Sequence, residues 1–98
     1  MSKHFPKRDK FKPWTFAPAK RAQVDFPNGY SLSIIHGKDC FGVFSSKAMP
    51  YECAILHNRR VCYDSGIPHP ASGETINDVF SYCTKAHVCQ LLDAVAAL

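Results

Sequence analysis

From Ala22 to Phe26 the chain alternates, with Ala22, Val24 and Phe26 apolar and Gln23 and Asp25 polar, which is the period of a half-buried strand. Pro27, Asn28 and Gly29 then supply turn chemistry, Asn-Gly being the pair best able to take the positive φ angles of a tight hairpin. "YSLSI" resumes the alternation, with Tyr30, Leu32 and Ile34 on one side and Ser31 and Ser33 on the other. A first hairpin is predicted. "YECAILH" and "RVCYD" are β-prone and separated only by Asn58 and Arg59, which predicts a second hairpin even though Arg is a poor turn residue. Between the hairpins "CFGVF" continues or extends a strand and "SSKAMP" reads as loop. The run "SGIPHPASGE" holds two prolines and two glycines and predicts an exposed, adaptable loop.

Periodicity changes near the C-terminus. "INDVFSYC" suggests a short helix, and Thr84 is placed to cap a second one in which Val88, Leu91, Leu92, Val95 and Leu98 recur at helical spacing. Such an apolar stripe must bury itself on the sheet, because nothing else in the chain is large enough to cover it. The expected fold is therefore α+β: a small antiparallel sheet of about four strands in two hairpins, covered on one face by C-terminal helices.

Charge adds an arm to this picture. Residues 1–22 hold seven lysines and arginines against one acid, whereas the rest of the chain holds five against seven. Residues 1–20 thus read as an extended basic arm, kept from helix by Pro6, Pro13 and Pro18, and residues 21–98 as a single domain. With Phe5, Phe11, Trp14 and Phe16 interleaved among its cations, the arm could follow a phosphate backbone and stack on bases. The plainer reading is a solvated tail, dispensable for folding, whose aromatics dock on its own domain. At 98 residues, 46% of them hydrophobic and 20% charged, the chain has room for one modest core. No apolar run reaches the eighteen or so residues of a membrane span, and no secretory signal opens the chain, so a cytoplasmic location is expected.

The chemistry-bearing side chains form no recognised motif. Five cysteines include no CxxC pair, and their odd number leaves one thiol over in any disulfide scheme. Cys83 and His87 are spaced as two ligands on one helix would be, but Thr84 as an N-cap breaks that helix between them, so no metal or other cofactor is expected. His36 and His57 fall at strand ends, and a Cys–His nucleophilic pair has no sequence signature, so no enzyme activity is expected. Met49, Cys53, Cys62 and Cys89 read as core filler.

The succession "FPNGYSLSIIHG", "YECAILHNRRVCYD", "DVFSYC" and "VCQLLDAVAAL" over about residues 22–98 resembles a set of small proteins from tailed bacteriophages. Those carry F-x-N-G-Y, Y-E-x-A-x-L and C-Y-D strands and a D-V helix. This chain departs from them in having Arg59 where a turn glycine is usual and cysteine at several aliphatic positions. The resemblance implies origin rather than activity, with the host cytoplasm as the place of action. The expectation is an accessory protein that binds, and inhibits or modulates, a host or antiviral-defence protein. The alternative is a nucleic-acid-binding protein that uses the arm. Candidate binding residues are Lys7, Arg8, Lys10, Lys12 and Trp14 on the arm, Arg59 and Arg60 at the second turn, and His69 in the proline-rich loop.

Overall fold

In the computed structural model, which describes residues 2–13, 19–37, 45–75 and 79–98, the alternating segments pair into one antiparallel sheet. Its strands are β1 (Lys12–Pro13), β2 (Lys20–Asp25), β3 (Tyr30–His36), β4 (Tyr51–His57), β5 (Arg60–Val61) and β6 (Phe80–Cys83), followed by one helix, α1 (Lys85–Ala96). Strands β1 to β5 lie side by side in chain order, and β6 pairs β4 on the edge that β5 also uses. β5 takes the Leu56–His57 end of that edge and β6 the Tyr51–Cys53 end. The fold is α+β as expected, but the described residues form six strands rather than four and one α-helix rather than several.

Both hairpins form, by different turns. Phe26 N–H donates to the Tyr30 carbonyl and Gly29 N–H to that of Phe26, so the first loop is three residues long and only Gly29, at φ +86°, takes the left-handed conformation. Asn28 is thereby released for another task. Its amide donates to the carbonyls of Val95 (2.9 Å) and Leu98 (3.1 Å), closing the C-terminus of α1, while its Oδ1 accepts from Tyr30 N–H. In the second hairpin Asn58 and Arg59 both adopt positive φ, 52° and 69°, the primed turn that matches strand twist. Arg59 occupies that position despite its side chain.

The segment expected as a first helix is the strand β6 over Phe80–Cys83; Ile76, Asn77 and Asp78 lie outside the described residues. Tyr82 has φ +53° and the pairing with β4 shifts register there, a bulge that turns both Phe80 and Cys83 inward. Thr84 caps α1 as expected: its Oγ accepts from His87 N–H (3.2 Å), and its own N–H donates to His87 Nδ1 (3.1 Å). Val88, Leu91, Leu92 and Val95 of α1 are fully buried against Leu32, Ile34, Cys53 and Ile55 of the sheet. Each such side chain contributes about 1.5–3 kcal/mol by leaving water.

The proline-rich loop is mostly exposed, as expected, but it is anchored at two points. Ile67 and His69 are buried within it, and backbone bonds run from His69 to Glu74 and from Gly73 back to His69. The basic arm is folded as well. Its residues 8–10 form a 3₁₀ turn, Lys12 and Pro13 pair with Arg21 and Lys20, and Phe5 and Phe11 pack half-buried against the core. The expected "CFGVF" extension lies outside the described residues.

Candidate functional site

β3 and β4 are both seven-residue strands that begin with tyrosine and end with histidine. Antiparallel pairing therefore sets Tyr30 against His57 at one end and His36 against Tyr51 at the other. Both pairs stack, with ring centroids 4.1 and 4.7 Å apart. Lys20 stands beside His36 on β2, so Lys20, His36 and Tyr51 form one row across the end of the sheet.

The arm returns over that row. Ser2 Oγ donates to Asp93 of α1 (2.6 Å), which ties the start of the chain to the helix. Phe5 meets the Tyr51 ring edge-on at 5.9 Å, and Phe11 lies 6.2 Å from His36 and 6.3 Å from Tyr51. Lys85, the first residue of α1, places its ammonium 4.7 Å from the Phe5 ring centre, a cation–π contact. Between arm, sheet end and helix start lies a cavity of about 580 Å³.

Its lining has two kinds of side chain. Phe5, Phe11, His36 and Tyr51 make an aromatic floor, while Lys7 and Arg8 from the arm, Lys20, which the sheet takes from the arm's expected end into β2 and so into the body, and Lys85 of the body supply positive charge. Among the described residues lining it there is no carboxylate. The first turn of α1 also carries no acid, so the positive end of the helix dipole adds to the same potential. Burial pushes the Tyr51 phenol above its ordinary value, with the nearby Cys53 and Cys89 thiols adding to the effect, so it is a neutral hydroxyl at physiological pH. Chemically the cavity can stack a flat ring and neutralise several negative charges at once.

Of the binding residues expected on the arm, Lys7 and Arg8 line the cavity, and Lys10 and Lys12 are exposed beside it on the turn and β1. Trp14 lies outside the described residues. Arg59 and Arg60 are exposed at the opposite end of β4 and do not join the arm. Lys20, Tyr51 and Lys85 were not among the expected binding residues; the signal that could have found the sheet-end row is the repeated Tyr-x5-His pattern of β3 and β4.

His69 sits elsewhere and is occupied. Its Nδ1 accepts from Ala71 N–H (3.0 Å), which leaves the proton on Nε2, directed at the Ser81 carbonyl at 2.6 Å. The Cys83 sulfur lies 3.8 Å from that Nε2, but an N–H already given to a carbonyl does not take up a thiol proton. The Cys53 thiol, itself pushed well up by burial, donates toward Cys83 and draws that thiol down. Among the described residues no three histidine, cysteine or acidic side chains are grouped to hold a metal ion, and no helix is long and apolar enough to cross a membrane. The sequence matches no family model, no curated protein and no solved structure.

Proposed function

We propose that the protein binds single-stranded nucleic acid, without catalysing a reaction on it, through the cavity between its N-terminal arm and the sheet end. The observation that carries this reading is the pairing of four cations with an aromatic floor in one concavity that no described carboxylate lines. Cations answer phosphates, and aromatic rings at the wall of a cavity answer unpaired bases. A duplex hides its base faces and presents a convex backbone, so a recessed aromatic floor favours an unpaired strand.

Fluorescence anisotropy with a labelled oligothymidylate of ~10 nucleotides, a length within the usual site size, tests it. Micromolar binding is expected in about 150 mM salt, weaker for duplex of the same length and weakened by about ten-fold in Phe11→Ala, as loss of one stacking platform costs about 1–3 kcal/mol. Circular dichroism establishes that the variant is folded. An affinity equal for duplex and single strand, or indifferent to Phe11, would refute the proposal.

A second reading has its own observation. Tyr63 is 62% exposed and Val61 39% exposed, beside Arg59 and Arg60 at the far end of the sheet. Aromatic and arginine side chains are common anchors of protein interfaces. On this reading the protein is an accessory factor of tailed-phage origin that occludes a host or defence protein. A partner retained after nuclease treatment and lost in Tyr63→Ala would favour it; a partner released by nuclease would count against it.

A further inference from the structure

The charge in the cavity exceeds what an internal stretch of nucleic acid brings to it. About 580 Å³ is the size of a small-ligand pocket and accommodates roughly one base with its sugar and phosphate, not a run of nucleotides. One internal nucleotide carries a single negative charge on its diester. Four cations converge here, with the start of α1 adding to their potential. A terminal phosphate monoester carries about −1.5 to −2 at pH 7, and an oligophosphate carries more. It also presents three acceptor oxygens where a diester presents two, and Arg8 offers the forked donor set that suits them.

The four cations come from separate parts of the molecule. Lys7 and Arg8 belong to the arm, Lys20 to β2 and Lys85 to α1. A single diester cannot answer all of them, and like charges left facing each other oppose closure of the arm over the sheet. A multiply charged phosphate answers both sides and relieves that repulsion.

Resting on the nucleic-acid reading and making it narrower, we propose that the cavity is a terminal-phosphate site. It takes a nucleoside bearing a phosphate monoester or oligophosphate, with the base on Phe11, His36 and Tyr51 and the phosphate bridging Lys7 and Arg8 of the arm to Lys20 and Lys85 of the body. Two sources share this chemistry, the phosphorylated end of a strand and a free nucleotide.

Binding of the full chain to four probes separates these outcomes: oligothymidylate with a 5′-hydroxyl, the same strand with a 5′-phosphate, ATP, and inorganic triphosphate. The 5′-phosphorylated strand is expected to bind about ten-fold tighter than its 5′-hydroxyl counterpart, the factor that one charge-assisted hydrogen bond supplies. That advantage should shrink as the pH falls from 7.5 to 5.5, because the monoester's second proton binds near pH 6. It should also shrink in Lys20→Gln and in Lys85→Gln, two exposed side chains on different elements, while binding of the 5′-hydroxyl strand changes less. Equal affinity for both strands overturns the terminal-phosphate site and leaves single-strand binding standing. Binding of ATP in preference to either strand supports the site and assigns its ligand to the free nucleotide, so that the strand reading falls instead. Inorganic triphosphate binding as tightly as ATP removes the base from the proposal and overturns it, as does failure of all four probes. A 5′-phosphate preference unchanged in both lysine variants also overturns it.

Discussion

Asn28 shows how much one side chain decides. Its amide donates to the carbonyls of Val95 and Ala96 in the last turn of α1 and to that of Leu98 beyond it, and its Oδ1 fixes the start of β3, so a hairpin turn also serves as a helix cap. Asn28→Ala leaves those carbonyls without this donor and should cost about 1–2 kcal/mol, read from urea unfolding. Asn28→Asp should cost more at neutral pH, since a carboxylate would face the negative end of the helix dipole; an aspartate as stable as the asparagine would refute this role. Glu52 carries the opposite sign. Burial raises its carboxyl above the ordinary 4.5, so the folded state holds the proton more tightly than the unfolded state does. The resulting penalty is fully present above the folded pKa and vanishes as the pH falls below 4.5. Glu52→Gln should therefore stabilise the fold at pH 7, by less than about 1 kcal/mol for a part-exposed group, seen as a higher melting temperature, and make no difference near pH 3.5; a gain that persists in acid would sink the assignment. In the sequence the Asn-Gly pair announced a turn correctly, but the cap was invisible there, because it depends on residues 67 and 70 positions away.

Among elements, the arm is where sequence pattern and structure part most. Proline and charge forbid a periodic apolar face in residues 1–20, which is why they read as dispensable. Phe5 and Phe11 nonetheless pack on the core, Ser2 is tied to Asp93, and β1 extends the sheet. Half-burial of two phenylalanines is worth about 1.5–3 kcal/mol. A chain beginning at Ala19 should then melt about 6 °C or more below the full chain, given about 4–8 °C per kcal/mol at this size. An unchanged midpoint in differential scanning calorimetry would return the arm to the status of a solvated tail. Strands β2, β3 and β4 and the helix stripe were legible because their periods, two and 3.6, are local properties. β6 was not: Phe80 and Cys83 are both buried three residues apart, a helical spacing, and the bulge at Tyr82 produces that spacing in a strand. The candidate site was half legible, because the arm's cations and aromatics stand out in the chain. Lys20, Tyr51 and Lys85 belong to ordinary strands and a helix start, and only pairing brings them together.

At the scale of the molecule, the question is whether the basic charge acts as a diffuse attraction or as a site. The net charge of +4 alone would draw any polyanion, and every exposed lysine or arginine would then contribute alike. The fold concentrates Lys7, Arg8, Lys20 and Lys85 around one cavity and leaves Arg59 and Arg60 at the far end of β4, exposed. Counterion release turns this difference into a measurement, since each cation in contact with a single-strand phosphate contributes about 0.7 to the slope of log affinity against log salt. Lys7→Gln and Lys20→Gln should each flatten the slope by about that amount, whereas Arg60→Gln should leave it unchanged, although all three remove one positive charge. Diffuse attraction requires three equal changes, each small and spread over the whole surface. A flattening by Arg60→Gln equal to that by Lys7→Gln would show that the phosphates do not gather at the arm. The predicted inequality would place them between the arm and the body, where only the folded chain brings these cations together.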